Sequence, residues 1–575
     1  MEARRPVRIA NASGFFGDRM SALAEVVRGG PVDVVTGDYL AEVTMGILAK
    51  QRLKNPALGF VGTFPAQLEP VLLTILERGI KVVVNAGGLN PHGLTAALRA
   101  KVPALKIATI DGDDIRPRLD HLREANGGFP SLETGAPLAT DTVYTANAYL
   151  GAWGITRALA EGADIVICPR VTDASLVVGV AAWWHGWGRE DWDRLAGAVA
   201  AGHVIECGAQ ATGGNYSGFQ TIGDLARPGF PIAEIAADGS SVITKHEGTG
   251  GAVTTGTVTA QLVYEIGGPR YLNPDVVTRL DTITLADVGP DRVALTGVRG
   301  EAPPPTTKVA MVCRGPFRNE MLFGFVGLDI DAKIALFERV TRTANPKAEL
   351  RFQRIGTTTP DAASENEATV LVRVVAISED ESVVARAFSS SLIEQGLSSY
   401  PGLFATDVPG PASTTATYFP TLVRQDDLVH RVTHHDGREE VIPTPTTAPV
   451  AASPELESTP RHAGRTVRGP LGHLVDARSG DKGADANVGL WTRSDDAYAW
   501  LRGELTVAKL RELLPEATDL AIDRYELPNL RALNFVVHGL LAGGAVATLR
   551  FDRQAKALGE FLRSRFVDLP EALLS

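Results

Sequence analysis

The sequence predicts an α/β protein made of a Rossmann-like layer with a parallel sheet, an α+β second unit and a C-terminal ferredoxin-like α+β domain. Three observations support this prediction. In residues 1–200, short β-branched runs alternate with amphipathic stretches, as in βαβ units. Residues 201–440 mix strand and helix patterns around two glycine-rich segments. A proline-rich stretch at 441–466 then separates a final compact unit at 467–575.

The composition is that of a folded chain with several domain-sized units. Its 575 residues are 44% hydrophobic and 21% charged, with a formal net charge of -11. These values exclude the disordered and fibrous classes. The longest apolar run, 535–549, is interrupted by His538 and by glycines, so we expect no membrane span. Because the chain is acidic and has no basic patch, we do not expect it to bind nucleic acid.

The first layer is predicted from buried-strand runs and the helical patterns between them. The predicted strands are 7–10, 32–35, 81–85, 105–110 and 164–168, and the predicted helices include 66–78, 93–101 and 147–161. In open α/β sheets, ligands bind at the carboxyl ends of the strands. Each predicted strand runs into a small or polar loop there, namely 11–14, 36–38, 86–93, 111–114 and 169–173. We therefore expect a ligand site at this edge, with Asn85, Gly88 and Asn90 among its binding residues.

The second unit and the C-terminal unit follow from the same patterns. In the second unit, the predicted strands are 292–295, 308–313, 322–329 and 368–377, and the helices are 331–343 and 382–395. In the C-terminal unit, the strands are 471–477, 487–491, 519–525, 534–540 and 545–551, and the helices are 507–514 and 554–566. Helices beside a small, mostly antiparallel sheet are typical of a ferredoxin-like fold.

The glycine-rich segments are the first choice for catalysis. His246 is predicted to move a proton near neutral pH, with the neighbouring Glu247 orienting it or acting instead. Asn215 is predicted to hydrogen-bond a developing oxyanion. Backbone N–H groups near Gly213, Gly214, Gly250 and Gly251 would complete an oxyanion cradle, since glycine lets a ligand approach the backbone closely. The alternative is that His246 and Glu247 only satisfy hydrogen bonds of a loop.

A dense charged segment in the C-terminal unit is predicted to bind an anion. In residues 476–487, charges and glycines alternate between two strands, more densely than a hairpin connection needs. Arg478 and Lys482 are predicted to hold a carboxylate or phosphate of the substrate, and Asp481 to position the lysine. The alternative is a solvated, salt-bridged loop. This unit is thus expected to complete a site on the main body.

Several other chemistries receive little support. The loops lack the G-x-G-x-x-G dinucleotide fingerprint, and the chain lacks a G-x-x-x-x-G-K-[ST] phosphate loop. The sequence therefore gives little support for a redox cofactor or for nucleotide hydrolysis. Cys207 near His203 is a minor candidate nucleophile. Asp111, Asp113 and Asp114 are a minor candidate cation site, and we predict no metal ligands. Three scattered cysteines and the absence of a signal-peptide pattern predict a cytoplasmic protein.

Several of these segments together resemble the acyclic terpene utilisation (AtuA) family. The resembling segments are 11–15, 85–91, 162–166, 213–215 and 246–251, and residues 477–483 resemble the small ferredoxin-fold domain that often follows. Members of the family are associated with bacterial catabolism of citronellol and geraniol, in which branched acyl-CoA thioesters are carboxylated, hydrated and cleaved. The resemblance covers nearly the whole chain and implies a role beside acyl-CoA chemistry.

The leading hypothesis is therefore a cytoplasmic lyase or hydratase that acts on a branched acyl-CoA or a related carboxylated substrate. Such reactions need a general base and a stabilised enolate oxygen, and no redox cofactor. Coenzyme A is expected as part of the substrate, and no tightly bound cofactor is predicted. The alternative hypothesis is a non-catalytic assembly partner of an acyl-CoA carboxylase or a related pathway enzyme. Assembly into a homo-oligomer is expected in either case.

Overall fold

The structure is a computed structural model that describes residues 4–139, 142–451 and 464–574. The described residues fall into two compact units, one within Met1–Val312 and Tyr418–Ser575 and the other within Cys313–Thr417. No helix of the described ranges is both long and apolar enough to cross a bilayer.

The amino-terminal elements alternate between strands and helices as the sequence predicts. The strands are β1 Val7–Asn11, β2 Val34–Gly37, β3 Lys81–Val84, β4 Ile107–Asp111, β5 Val143–Ala148 and β6 Ile165–Ile167. The helices are α1 Ala22–Gly29, α2 Glu42–Lys54, α3 Phe64–Leu68, α4 Leu72–Arg78, α5 Pro91–Lys101, α6 Leu119–Ala125, α7 Trp153–Ala160, α8 Ser175–His185 and α9 Trp192–Ile205. Five of these strands pair in parallel in the order β1-β2-β3-β6-β4.

The following segment extends the same sheet with antiparallel strands. Its elements are β7 Pro231–Ile235, β8 Ser241–Lys245, α10 Thr255–Leu262, β9 Arg270–Leu272, β10 Val277–Arg279, β11 Thr284–Gly289, β12 Arg292–Thr296, β13 Arg299–Glu301 and β14 Thr306–Phe325. Strand β7 pairs with β1, and β8, β12 and β11 follow outwards. The main sheet therefore takes strands from both sides of the predicted division at residue 200.

The unit within Cys313–Thr417 has its own core. Beyond its part of β14 it contains α11 Ile330–Ala344, β15 Glu349–Ile355, α12 Glu365–Ala368, β16 Val370–Ser378, α13 Glu381–Val384, α14 Arg386–Ile393, α15 Gln395–Ser398 and β17 Leu403–Ala405, and β18 Ser413–Arg424 begins here. Strands β15, β16, β14 and β17 form an antiparallel sheet. Phe323, Phe325 and Phe337 pack together in its core.

The chain then closes the main sheet and forms the C-terminal domain. Strands β19 Arg431–Thr433 and β20 Glu439–Val441 extend the sheet beyond β4. The C-terminal domain consists of β21 Thr466–Pro470, β22 Asp476–Lys482, β23 Asp485–Trp491, α16 Asp495–Glu504, α17 Val507–Leu513, β24 Ile522–Leu527, β25 Ala532–Val537, α18 Leu558–Arg563 and β26 Phe566–Pro570. Strands β22-β23-β25-β24 form an antiparallel sheet that packs on its helices around Leu501, Phe535 and Leu562.

Two apolar layers cover the main sheet. Side chains of α1 to α5 pack on one face, around Val26, Leu48 and Leu94. Side chains of α7 to α10 pack on the other face, around Val180 and Val199. Because both faces are covered, the parallel strands are buried runs of valine and isoleucine without polar alternation. This arrangement leaves the carboxyl ends of the strands as the edge where polar loops meet.

Several predicted elements differ in the structure. The strand predicted at 471–477 is a short turn followed by the start of β22, the strands predicted at 308–313 and 322–329 are the single strand β14, and the helix predicted at 382–395 is divided into α13, α14 and α15. The helix predicted at 147–161 is β5 followed by α7, because Gly151 and the buried turn before Trp153 end the strand. The helix predicted at 66–78 is divided into α3, a short turn and α4, with Pro70 at the interruption. The strand predicted at 545–551 is a series of turns after Gly543 and Gly544, both at positive φ.

The described part of the predicted linker is bonded to the main body. Residues 442–451 have neither helix nor strand, and residues 452–463 lie outside the described residues. The Arg189 guanidinium donates to the carbonyl oxygen of Pro443 at 2.7 Å, and the Ala448 N–H donates to the carbonyl oxygen of Pro303 at 2.9 Å. The first half of this segment therefore lies along the surface of the main body.

Candidate functional site

The C-terminal domain docks on the segment that follows α10. The Glu265 N–H donates to Asn487 Oδ1 at 2.6 Å, and Asn534 Nδ2 donates to the carbonyl oxygen of Gly267 at 2.8 Å. Both asparagines are fully buried, with 0% exposure, so these two hydrogen bonds fix the domain against the segment after α10. Glu265 itself has a φ of 56°, an unfavourable conformation for a non-glycine residue that the docked domain holds in place. The docking thus fixes the position of one carboxylate.

Glu265 faces two charged side chains of the C-terminal domain. Lys556 Nζ lies 3.1 Å from Glu265 Oε1 and 3.8 Å from Asp481 Oδ1, and it also donates to the hydroxyl of Tyr264. The side chains of Glu265 and Lys556 each keep 31% of their surface accessible to solvent. This pair therefore lies where solvent reaches the junction between the main body and the domain, and we call this junction the cleft.

Arg478 forms the inner wall of this cleft. Its guanidinium donates to Gln210 Oε1 and lies 4.2 Å from the centre of the Tyr264 ring. Only 3% of the residue is exposed, and burial lowers its pKa. The neighbouring Ala477 N–H is 3.1 Å from Ser217 Oγ, which ties β22 to the glycine-rich segment after α9. Arg478 therefore orients Tyr264 and Gln210 from a buried position.

Five carboxyl groups in this region interact through their charges, and we call them the carboxylate cluster: Asp38, Asp173, Glu206, Glu265 and Asp481. Burial and the charge of Asp173 hold the pKa of Asp38 and of Glu206 well above the ordinary range. The same two causes raise the pKa of Glu265 to about 7. Burial and then the charge of Glu265 raise the pKa of Asp481. Like charges in a poorly solvated site favour protonated carboxyls, so Glu265 exchanges its proton near neutral pH.

Two lysines of the cleft, Lys556 and Lys482, have pKa values below the ordinary range. Burial lowers the pKa of Lys556. Burial and then the charge of Lys308 lower the pKa of Lys482 to about 8. Arg170 Nη1 is 2.7 Å from Asp173 Oδ1 and its guanidinium lies 4.1 Å from the centre of the Tyr149 ring. The site thus combines acids that hold protons with amines that release them, which suits general acid and base chemistry.

Cys207 and His203 lie behind the cluster. Burial and then the charge of Glu265 raise the pKa of Cys207 well above its ordinary value, so its thiol stays protonated. Burial lowers the pKa of His203 to about 4, and its Nδ1 lies 3.1 Å from Glu206 Oε1. A neutral thiol is a poor nucleophile, and this geometry gives no support to a cysteine-dependent reaction.

The structure does not bring His246 to this cleft. Its Nε2 lies 2.8 Å from the carbonyl oxygen of Val26, and its ring packs against the backbone of Gly29 and Gly30 at the end of α1. It lies on the face of the sheet that α1 covers, whereas Glu206 follows α9 on the opposite face. Glu247 and Asn215 are both exposed, and Asn215 adopts a φ of 54°. These three predicted residues are therefore separate from the carboxylate cluster.

The glycines predicted as an oxyanion cradle instead pack the two glycine-rich segments against each other. A Cβ on Gly251 would lie 2.3 Å from the carbonyl oxygen of Thr212, and a Cβ on Gly250 would lie 2.5 Å from that of Asp224. Their donors are mostly used: the N–H groups of Gly213, Gly214 and Gly251 donate to the carbonyl oxygens of Gln210, Ala209 and Asp224 at 3.1, 3.0 and 3.0 Å. Close backbone approach explains these glycines without a bound oxyanion.

The predicted residues of the third βα loop have different surroundings. Asn85 is buried and donates to Asp38 Oδ1 at 2.5 Å, so it contacts the carboxylate cluster. Asn90 accepts from the Gly93 N–H at 3.0 Å and caps α5. Gly88 has a φ of 51°, and a Cβ there would lie 2.4 Å from Leu48. Asn85 thus joins the site, whereas Asn90 and Gly88 shape the loop.

Some of these residues were predicted from the sequence as site residues, and others were not. Arg478, Asp481 and Lys482 were expected at a junction with the main body, and the structure brings them to the carboxylate cluster. Glu265 and Lys556 were missed, since no motif surrounds either residue in the sequence. Asp38 and Asp173 do follow β2 and β6, and their position after parallel strands was the available signal.

The polar groups also bear on metal binding. Within residues 4–139, 142–451 and 464–574, no group of three or more His, Cys, Asp and Glu side chains has an arrangement that could hold a metal ion. Asp111 pairs with His92, Asp113 accepts from Asn147 Nδ2 at 2.6 Å, and Asp114 pairs with Arg116. The three aspartates of this loop therefore have separate protein partners.

Comparison with known proteins gives two matches. Residues 7–434 match the model of a family described as acyclic terpene utilisation family protein AtuA. Residues 469–568 match the model of the AtuA ferredoxin-like domain, which corresponds to the four-stranded sheet and helices of the C-terminal domain. A search of curated proteins finds none that matches the chain.

Proposed function

The chain belongs to the acyclic terpene utilisation family, and from this premise we propose that it is a lyase or hydratase that acts on a coenzyme A thioester or another carboxylated substrate. The observation that carries the proposal is the Glu265–Lys556 pair. A carboxyl with a pKa of about 7 lies 3.1 Å from an amine whose pKa burial lowers. Such a pair can take a proton from a substrate and return it near neutral pH.

In the proposed reaction, Glu265 in its ionised form removes a proton next to the thioester or carboxylate carbonyl. Lys556 and the Tyr264 hydroxyl, which contact each other, would stabilise the negative charge that develops on the carbonyl oxygen. Arg478 holds the Tyr264 ring from below. In a dehydration, the proton on Glu265 then passes to the leaving hydroxyl. In a carbon–carbon cleavage, Glu265 takes the proton of a β-hydroxyl group instead, the bond between the α and β carbons breaks, its electron pair forms the enolate, and the α carbon takes the proton back from Glu265. This scheme needs no redox cofactor.

The proposed substrate also fits the position of the cleft. A pantetheine arm is long and slender, and a cleft between two domains can enclose its thioester end while the nucleotide stays outside. The C-terminal domain contributes the lysines Lys482 and Lys556 on its side of the cleft, so one carboxylate of a substrate would find a counter-charge there.

The experiment is mass spectrometry of branched enoyl-, β-hydroxyacyl- and carboxylated acyl-CoA thioesters incubated with the wild type and with Glu265→Gln. We expect the wild type to add or remove one water, or to release an acetate unit. Because a general base contributes about 100-fold to 10,000-fold, Glu265→Gln should lower that rate by a similar factor.

The matched control is Glu69→Gln. Glu69 also pairs with a lysine, Lys101, at 2.8 Å, but its side chain is 69% exposed and its partner is not a residue of the cleft. The Glu69→Gln variant should convert the thioesters at the same rate as the wild type. If the folded wild type leaves every thioester unchanged, the enzyme proposal is wrong for these substrates, and pull-down with an acyl-CoA carboxylase becomes the next test.

A further inference from the structure

The C-terminal domain contacts the main body at a second point, the turn between β22 and β23. We call residues 482–485 the hairpin tip. The Ala484 N–H donates to Glu133 Oε1 at 2.6 Å. A Cβ on Gly483 would lie 2.5 Å from the same oxygen and 3.2 Å from the ring of Tyr418, and Gly483 has a φ of 70°. Glycine at this turn therefore lets two side chains of the main body approach the hairpin tip closely.

The loop that follows β25 connects the hairpin tip to the main body in a second way. This loop comprises residues 538–544. The Gly539 N–H donates to Asp485 Oδ1 at 2.9 Å, which bonds the loop to the hairpin tip. The carbonyl oxygen of Gly543 accepts from the Tyr418 N–H at 3.4 Å, which bonds the loop to the main body. The loop and the hairpin tip are thus joined to each other, and each contacts the main body.

His538, the first residue of this loop, lies between two carboxyl groups. Its Nδ1 lies 2.9 Å from Asp485 Oδ2, and its Nε2 lies 3.0 Å from Asp523 Oδ2. A neutral imidazole has one N–H, and only the imidazolium donates from both nitrogens. On a neutral ring, one nitrogen lone pair would face a carboxylate oxygen at hydrogen-bond distance. The geometry therefore favours the charged ring, which links the hairpin tip to β24.

The titratable and charged groups around His538 come from three strands and the main body. They are Asp485 at the start of β23, Asp523 and Tyr525 of β24, Lys482 at the end of β22 and Glu133 of the main body. Burial by itself would lower the pKa of His538. The hydrogen bond to Asp523 and the charge of Asp485 outweigh burial, and the pKa is raised.

We propose that His538 is a pH-sensitive clamp that holds the C-terminal domain on the main body. Its imidazolium bonds Asp485 and thereby fixes the hairpin tip, which contacts Glu133 and Tyr418. Loss of the proton leaves at most one of the two bonds, made by a neutral donor, and charge-assisted bonds are roughly twice as strong as neutral ones.

The sign of the pH dependence follows from the raised pKa. The clamp is complete below the ordinary histidine pKa of about 6.5 and is lost as the pH rises through the raised value. Docking of the domain should therefore be tighter at about pH 6 than at about pH 8. The clamp acts on docking, whatever reaction the docked cleft carries out.

The first test measures the proton on His538 directly. The full chain is isotopically labelled at its histidine rings, the His538 signal is assigned by its loss in His538→Gln, and the wild type is titrated by NMR. We expect a midpoint above about 6.5, and a lower midpoint in Asp485→Asn and in Asp523→Asn. The signal of His121, which is exposed on α6, should be the same in all variants. A His538 midpoint at or below about 6.5, or one that neither substitution lowers, overturns the proposal.

The second test measures docking by hydrogen exchange at the Gly539 and Ala484 amides, corrected for the intrinsic pH dependence of exchange. In the wild type, both amides should exchange about two- to fivefold faster at about pH 8 than at about pH 6, the factor that one partly exposed ion pair is typically worth. His538→Gln carries no charge, so its exchange should be fast at both pH values. The matched control is His473→Gln, at an exposed histidine between β21 and β22, which should behave as the wild type does.

Glu133 titrates in the same range, because burial raises its pKa to about 7. Since His538→Gln keeps Glu133, a pH dependence of equal size in this variant would assign the effect to Glu133 and overturn the clamp. Exchange that does not change with pH in the wild type would overturn it as well. Asp523→Asn, at a half-exposed side chain, provides the same comparison if His538→Gln does not fold.

Discussion

At the scale of single residues, the protein keeps several carboxyl groups protonated where carboxylates normally ionise. Burial is the first cause in each case, and it raises the pKa of Glu133 and Asp113 to about 7 and that of Asp275 to about 6. Glu265 differs from these because it also has an amine within 3.1 Å and faces a cleft that solvent reaches. Its combination of proton affinity and access, and not its proton affinity alone, makes it the candidate base.

The position of His246 leads to a prediction about stability. Its ring fills the space beside Gly29 and Gly30 and its Nε2 lies 2.8 Å from the carbonyl oxygen of Val26. Replacing it by alanine leaves a cavity and an unpaired buried carbonyl, so we expect His246→Ala to lower the free energy of unfolding by about 2–4 kcal/mol. Urea denaturation measures this change. If His246→Ala instead lost most of its turnover while its free energy of unfolding stayed the same, His246 would be a catalytic base and not a structural residue.

At the scale of elements, the end of α9 packs closely against the loop after β1. Asn11 Nδ2 donates to the carbonyl oxygens of Ile205 and Glu206, both at 2.7 Å. A Cβ on Gly14 would lie 2.3 Å from the carbonyl carbon of Cys207. The loop thus fixes the backbone that carries Glu206.

We therefore expect Gly14→Ala to disturb this contact. Overpacking of this kind costs about 1–3 kcal/mol, and the new methyl group must displace the Glu206–Cys207 backbone. The free energy of unfolding should fall by that amount, and hydrogen exchange at Cys207 should accelerate. Gly62→Ala is the control, since a Cβ there has open space within 4 Å. Equal stability of the two variants would show that the loop can move aside.

The elements also show which parts of the fold the sequence can reveal. The parallel strands β1, β2, β3, β4 and β6 were predicted within a few residues, because strands buried on both faces are unbroken apolar runs. Helix α16 was missed because its first turn, Asp495–Asp496, is charged and its buried residues are Tyr498 and Trp500 among polar neighbours. The short strands β7 and β8 were missed. Strand β7 joins the sheet by pairing with β1, which lies far away in the chain, and β8 pairs with β7 and β12.

The same distinction holds for the site. Arg478, Asp481 and Lys482 were predicted because their charges crowd one short segment. Glu265 was not, because its chemistry depends on Lys556, whose position in the chain is 291 residues later. His246 was chosen from its glycine-rich surroundings, and those glycines serve close backbone packing. Local composition can therefore mark a charged segment, but it cannot show which distant group lies opposite.

At the scale of the whole molecule, the main body and the C-terminal domain each supply part of the cleft. Glu265 and Tyr264 come from the first, and Arg478 and Lys556 from the second. Both belong to one compact unit, and the family match for each domain is separate. The cleft therefore exists only when the domain is docked, which makes docking a condition for the proposed reaction.

The raised carboxyl pKa values predict how stability changes with pH. Glu265, Glu133 and Asp113 bind protons in the folded state up to about pH 7, whereas in the unfolded chain they release them above about pH 4.5. Their stabilisation is full below the unfolded pKa and is lost as the pH rises through 7, so the folded state should be more stable at about pH 6 than at about pH 8. His203 and His430, with pKa values lowered to about 4, oppose this trend below about pH 6.5.

Thermal unfolding followed by circular dichroism across this range measures the effect. We expect the unfolding temperature to fall between about pH 6 and about pH 8. Glu133→Gln removes one of the three titrating carboxyls, so its unfolding temperature should fall less steeply over the same interval. An unfolding temperature that rises steadily from the lower to the higher pH would mean that these three carboxyls are already ionised in the folded protein, and the raised pKa values of Glu265, Glu133 and Asp113 would then be wrong.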